Sequence, residues 1–419
     1  MQARLLAMSR RSLLTRIGPG LLVAATGVGA GDLATGAFSG QHLGLAVLWA
    51  VVLGALLKAV MTEGVARFQL ATGETLLDGG LRRAHPALRW AFLIYFLPWS
   101  WATGAAMASA CGLSANALLP LPGDPERGRL IWAVVHSVIG ALIAWRGGFR
   151  CFEVVMAAAI GVMFVCVVGT AVMIGPDWSD VVTGLLVPRI PHSDGEGIIW
   201  TIALLGGVGG TLTVLCYGYW IRESGREQLE DLAESKLDLT VGYAVTAIFG
   251  LAMVVIGSAI AVDAKGTKLI LNLAAALETE LGPLAAKLFL LGAWAAIFSS
   301  LLGVWQAVPL LFADWWRATR DAPVARATIR EPAAMLFLVA LATLPLFANL
   351  NDFKAIQRAY AVIGALFLPL LALVLLRLNS KRRLGESAGN RLPARIALVF
   401  TALFFLVAGW LQAKQSLGL

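Results

Sequence analysis

The chain has 419 residues, of which 59% are hydrophobic and 14% charged, whereas an ordinary soluble domain carries about 25% charged residues. With a mean hydropathy of +0.79 and repeated apolar stretches of about 20 residues, this excludes soluble enzymes, coiled coils and disordered chains and points to a polytopic α-helical membrane protein. The net charge of +8 does not imply nucleic acid as a partner, because its distribution follows membrane topology; the lipid bilayer is the expected partner.

Eleven apolar segments are expected, at about 17–38, 44–70, 90–119, 130–146, 152–175, 198–222, 240–262, 284–314, 332–348, 356–377 and 394–413. The basic start lacks a short apolar core with a small-residue cleavage site, so no removable signal peptide is expected. Placing the N-terminus in the cytoplasm puts 22 of the 33 Lys and Arg residues in inside connections and 9 outside. The positive-inside rule therefore predicts a cell-membrane protein of the bacterial inner or plasma membrane type, with its C-terminus extracytoplasmic. The cysteines, Cys111, Cys151, Cys166 and Cys216, lie in or beside apolar segments without metal-ligand spacing and read as small buried hydrophobes. His42, His85, His136 and His192 show no metal-ligand spacing either, and no metal or cofactor is expected beyond a bound Na⁺.

Segment 1 contains Thr26-Gly27-Val28-Gly29-Ala30-Gly31-Asp32, three alternating glycines ended by a carboxylate. Glycine permits an unwound turn, and the half-helix restarting after it presents free amides at the positive end of its dipole, a setting suited to an anion. Asp32 at this depth must face a polar cavity, pair with a base, bind a cation or be protonated; capping the restarting half-helix is the plain structural alternative.

Segment 2 holds Lys58, Glu63 and Arg67. Glu63 and Arg67, four apart, can neutralise each other on one helix face. Lys58 has no carboxylate at helical spacing, so it either pairs across helices, with Asp32 as one partner, or lends positive charge to a cavity.

The connection 176–197, with Pro176, Pro188, Pro191 and several acidic residues, reads as an extracytoplasmic linker between an N-terminal half, 1–175, and a second repeat, 198–377; a basic loop and last helix, 378–419, follow. Segment 6 matches segment 1 in position and is also expected to be glycine-broken, at Gly206 to Gly210, with a second break at Gly218. Interrupted helices at matching places in two halves are the pattern of an inverted-repeat transporter with its site at the midplane; close helix packing through glycine is the alternative. Beside Gly218, Tyr217 and Tyr219 offer hydroxyls and carbonyls, or serve as interfacial anchors. Ser299 and Ser300 in segment 8 either bond back along their helix or join freed carbonyls and Thr26 as a hard-oxygen site for Na⁺.

Gly18-Pro19-Gly20-Leu21-Leu22-Val23, the glycine-broken turn and Leu33-Ala34-Thr35 resemble the first helix of the Nramp divalent-metal transporters. Ala66-Arg67 with Ala71-Thr72-Gly73, Ser299-Ser300 with Gly303, and the Pro369 region are similar to that family at matching places, covering most of the chain. The resemblance implies an all-α LeuT-like fold, two inverted five-helix repeats with helices 1 and 6 broken, plus an eleventh helix, and a secondary transporter rather than an enzyme.

The departures are specific. Where the family has Asp-Pro-Gly-Asn, this chain has Gly29, Ala30, Gly31 and Asp32, and Leu215-Cys216-Tyr217 replaces the Met-Pro-His signature. No Asp or Glu lies between Trp90 and Pro120, where the family's proton-coupled members carry acidic residues. The glycine-rich turn is similar instead to that of amino-acid transporters of the same superfamily, which hold a carboxylate on backbone amides. The favoured expectation is thus Na⁺-coupled or H⁺-coupled transport of a small anion such as bicarbonate. Its expected ligands are Gly27, Gly29, Gly31, Asp32, Lys58, Tyr217, Gly218 and Tyr219, with Thr26, Asp32, Ser299 and Ser300 for Na⁺. The alternative is a divalent cation, Mn²⁺ or Mg²⁺, on Asp32, Tyr217 and carbonyls. The Gly-x-Gly-Asp string also occurs in intramembrane aspartyl proteases, which need a second aspartate at the same depth that is not expected here.

Overall fold

The structure is a computed structural model that describes residues 13–192, 196–260, 268–348, 363–364 and 367–416. Part of the expected tenth segment, the basic residues Arg4, Arg10 and Arg11, and Lys265, Lys354 and Arg358 lie outside the described residues.

The first span is two helices, α1 (Leu13–Gly27) and α2 (Ala30–Leu43), separated by the bend at Val28 and Gly29. A one-turn 3₁₀ segment at Gly44–Val47 leads into α3 (Leu48–Thr72), which Gly73 closes in the left-handed conformation with its amide on the Gln69 carbonyl. The short α4 (Leu76–Arg82) is capped by the Thr75 hydroxyl. Two long spans, α5 (Pro86–Leu118) and α6 (Pro125–Arg146), each start with proline in the first turn behind a capping side chain, His85 and Asp124. The fifth span comprises α7 (Gly148–Met163), a π turn at Phe164–Val168 and α8 (Gly169–Ile174).

The connection read as a linker contains a helix, α9 (Trp178–Leu186), capped by Asp177. Gly184 brings it so close to the Leu45 carbonyl that a side chain would not fit, which seats the linker on the start of α3.

The sixth span repeats the pattern of the first. Helix α10 (Glu196–Gly207) stops, Gly209 and Gly210 take φ of 83° and 79°, and a 3₁₀ turn at Leu212–Cys216 leads into α11 (Tyr217–Glu223). Gly218 lies inside α11, so the second break expected there is absent; the break is at 208–211, where two consecutive positive φ angles exclude continued helix.

Helix α12 (Leu232–Ala259) begins eight residues before the segment expected from hydropathy, which carries Asp238 into the buried part of a helix. It is followed by α13 (Lys268–Leu281), α14 (Pro283–Thr319), α15 (Pro332–Ala348), α16 (Phe367–Leu378), α17 (Lys381–Ala388) and α18 (Leu392–Ser416). Helix α14 has 37 residues and is the most deeply buried of the long apolar spans among the described residues, which fits its small residues: Gly292 packs on Cys166 and Val167 of the π turn, and Gly303 on Thr26. Cys111, Cys166 and Cys216 are buried as expected; Cys151 is exposed at the start of α7, a correction to its reading as a buried hydrophobe.

Candidate functional site

The two breaks meet. A methyl group built on Gly27 would come within 2.8 Å of the Gly209 carbonyl carbon, and one on Gly210 within 3.2 Å of Gly27 Cα. Backbone crosses backbone here because neither strand of the crossing carries a side chain.

Asp32 joins the crossing. One carboxylate oxygen accepts the Gly29 amide at 3.1 Å, and the other accepts the Gly209 amide at 2.9 Å. Gly29 is the extended residue before α2 and Asp32 is three places on, so the carboxylate caps the restarting half-helix as the plain alternative foresaw, and also reaches the sixth span. Lys58, 1% exposed, donates from Nζ to the Gly206 carbonyl at 2.8 Å, at the end of α10. Its ammonium and the Asp32 carboxylate attract one another across the 206–209 turn. The direct interhelical partner of Lys58 among the described contacts is thus the Gly206 carbonyl rather than the Asp32 carboxylate expected from sequence.

Three of the four expected Na⁺ residues, Thr26, Ser299 and Ser300, also converge, while Asp32 is bonded at the crossing. Ser299 Oγ donates to the Ala25 and Ala296 carbonyls, both at 2.9 Å, and Ser300 Oγ donates to the Thr26 carbonyl at 2.6 Å. Gly303 lets α14 approach Thr26, whose buried hydroxyl has no hydrogen-bond partner among the described residues. Three hydroxyls and three carbonyls, two of them its own, therefore gather at the end of α1.

Tyr217 and Tyr219 do not join the crossing. The Tyr217 hydroxyl donates to Asp238 at 2.9 Å and to the Ser235 carbonyl at 3.2 Å, and the Tyr219 hydroxyl donates to Asp314 at 2.6 Å. Asp238 also accepts Arg226 at 2.7 Å and the Gly20 amide of α1 at 2.6 Å, with both charged side chains fully buried. Asp314 also accepts Thr75 at 2.6 Å and Arg317 at 2.6 Å, and Arg317 continues to Glu331. Trp220 Nε1 donates to Gln306 at 2.8 Å, and Gln69 donates to the Gly218 carbonyl at 2.5 Å. Four successive residues of α11 are thereby tied to α3, α12 and α14.

Exposure divides the broken spans. Residues 18–20 and 22–29 of the first span and 212–221 of the sixth are buried, whereas Ala30, Gly31, Asp32, Gly206, Gly207, Gly210 and Thr211 are partly accessible. The crossing is reached from the α2 and α10 half-helices and shut off below α1 and α11. Asp238, Arg226, Thr75 and Gln69 were not singled out from sequence. Their partners lie 12, 12, 239 and 149 positions away, and no local spacing signals such pairs.

Glu63 and Arg67 pair at 2.8 Å as their spacing predicts. His136 sits between the Trp132 carbonyl and Trp294 Nε1, and His42 stacks on Trp200. Among the described residues no three His, Cys, Asp or Glu side chains gather into a metal-holding group.

Two broken spans crossing at their unwound turns, inside a bundle of apolar helices, define an α-helical membrane protein of the LeuT-like fold, with two inverted five-helix repeats. The family described as natural resistance-associated macrophage protein-like matches residues 20–414, and the chain belongs to this Nramp family. It is 24% identical over 370 residues to a divalent metal cation transporter MntH of Aeromonas hydrophila, covering 86% of this chain and 88% of that one. A divalent metal cation transporter MntH of Verminephrobacter eiseniae is 24% identical over 258 residues, 59% of this chain and 56% of that one. The chain spans about half the length of the first curated relatives it matches. A crystal structure of the Eremococcus coleocola manganese transporter superposes with a TM-score of 0.74 at 19% identity, covering 95% of this chain and 85% of that one, which confirms the fold.

Proposed function

We propose that this secondary transporter carries a hard divalent cation, of the Mg²⁺ or Mn²⁺ kind with part of its water retained, through the crossing of the two breaks. The observation that carries the reading is Asp32, a partly accessible carboxylate bonded to amides of both breaks, so that a cation on it acts on both broken spans. A hydrated Mg²⁺ commonly uses one or two carboxylates and keeps several waters, so a single Asp with freed carbonyls is a workable donor set. The names of the two MntH relatives support this cargo over an anion.

The small-anion reading, bicarbonate with Na⁺, stands second, favoured by the buried ammonium of Lys58 at the crossing. It loses several of its expected ligands. The Gly29 amide is already given to Asp32, Gly218 is helical, and the Tyr217 and Tyr219 hydroxyls are held by Asp238 and Asp314. Lys58 and the first-turn amides of α2 around Gly31 remain for it. In either reading Thr26, Ser299 and Ser300 supply a coupling-ion site, supported by the orphaned Thr26 hydroxyl. The cytoplasmic N-terminus and the repeat limits at 175, 198 and 377 belong to the same proposal.

The deciding experiment is uptake into proteoliposomes of radiolabelled Mn²⁺ and of bicarbonate, each with and without an inward Na⁺ gradient. Mn²⁺ uptake, or its competition by Mg²⁺, that disappears in Asp32→Asn upholds the cation reading. Bicarbonate uptake with Mn²⁺ silent replaces it with the anion reading. Replacing Ser299 and Ser300 by Ala should raise the Na⁺ concentration that flux requires; unchanged Na⁺ dependence removes the coupling-site assignment.

A further inference from the structure

We propose that Lys58 is a tethered counter-cation: its ammonium, held on the Gly206 carbonyl beside the turn whose Gly209 amide Asp32 accepts, supplies the positive charge that a bound cation would otherwise bring, and thereby limits how strongly the crossing holds a cation. The inference deepens the cation reading by naming the residue that sets affinity, and its test is separable from that reading.

The geometry that points to it is built from three elements. Lys58 lies on α3 in mid-span, and its Nζ reaches the Gly206 carbonyl at 2.8 Å. Gly206 is at the end of α10, where unpaired carbonyls carry the negative end of the half-helix dipole. Three residues on, the Gly209 amide is held by Asp32. A carboxylate together with the carbonyl end of a broken helix is the set of groups that attracts a cation in such spans. Here a side chain of the protein supplies the positive charge itself.

The acidic side chain of α3, Glu63, is already engaged. Glu63 is bonded to Arg67 and lies 3.6 Å from Lys236. Tyr243 of α12 is bonded to Thr62, and Thr62 in turn to the Lys58 carbonyl. The lysine stem runs beside Gly209, where a methyl would meet Lys58 Cδ at 3.6 Å, an ordinary contact distance.

Two consequences follow from the charges. The empty carrier never exposes an uncompensated Asp32 to the bilayer interior, where an isolated charge is costly. An arriving cation must push the ammonium off the 206–209 turn. Because the stem is long and flexible, the displacement needs no backbone movement in α3.

The test compares the full chain purified in detergent with Lys58→Met, Asp32→Asn and the double variant, reading the unfolding midpoint while MgCl₂ or MnCl₂ is titrated. With the ammonium gone, the half-saturating concentration should fall by about tenfold or more, since a like charge at the site is removed. The gain should vanish in the double variant. An unchanged half-saturating concentration in Lys58→Met, or a gain that survives Asp32→Asn, overturns the inference. Lys58→Gln, which keeps a donor for the Gly206 carbonyl, gives the same comparison if Lys58→Met does not fold. The two ideas fail separately. Cation-silent uptake by the wild type beside a gain in Lys58→Met sinks the cation reading and keeps the inference. Mn²⁺ uptake by the wild type beside no gain does the reverse.

Discussion

Asp32 and Gly209, 177 positions apart, meet at 2.9 Å, while the second oxygen of the same carboxylate takes the Gly29 amide three residues before it. A single side chain thus closes the backbone of both broken spans at their crossing. Asparagine in its place has one acceptor oxygen and can keep only one of these bonds. Asp32→Asn should leave the protein folded, cost about 1–3 kcal/mol from the amide left unpaired, and reduce uptake of the cargo by at least about tenfold. Thermal unfolding and proteoliposome flux measured on the same preparation check both parts; full flux in Asp32→Asn would remove this residue from the site.

The crossing also tests the glycines. Gly209→Ala forces a side chain into positive φ, and Gly27→Ala pushes a methyl against the Gly209 backbone. Each should lower stability by about 1–3 kcal/mol and abolish flux. Gly161→Ala is the control, since that glycine is exposed on α7 with open space around it, and it should be neutral or stabilising by about 0.4–1 kcal/mol. Equal unfolding midpoints for all three variants would contradict the packed crossing.

Arg226 and Asp238 form an ion pair with both side chains fully buried. Removing one partner leaves an uncompensated charge, so Arg226→Met or Asp238→Leu alone should cost about 3–5 kcal/mol. The double variant should cost less than the sum of the two. A double-mutant cycle on denaturation free energies measures the coupling, and strict additivity would show that the pair does not act as a unit.

Tyr219→Phe removes the hydroxyl that Asp314 accepts and loosens α11 from α14, at a cost of about 1–2 kcal/mol. Cys216 precedes the first residue of α11 and is fully buried, so it reports on this end of the site without any introduced probe. In a Cys151→Ser background, which removes the exposed thiol, a permeant maleimide should label Cys216 slowly in otherwise wild-type protein. Labelling should be faster by at least about fivefold in Tyr219→Phe, the factor that corresponds to about 1 kcal/mol. Equal labelling rates would mean that the Tyr219–Asp314 bond does not hold this half closed.

What the sequence determined by itself was whatever depends on composition and short spacing. Hydropathy placed the spans because lipid accepts only backbone bonded within its own segment. The alternating glycines placed the first break, helical spacing paired Glu63 with Arg67, and the order Gly29 to Asp32 was enough to foresee a cap. The tertiary structure decided what joins distant positions. It narrowed the sixth-span break expected among Gly206–Gly210 to Gly209 and Gly210, where the sixth span meets Gly27, and removed the second break expected at Gly218, which lies within a helix. It turned Tyr217 and Tyr219 toward Asp238 and Asp314 rather than the crossing, because a buried hydroxyl follows the nearest carboxylate and those carboxylates arrive on other helices. It set Lys58 against Gly206 across 148 positions. Residue types and local periods carry no record of such distances, and it is the packing of α3, α10 and α14 around the two breaks that converts a row of glycines into a site.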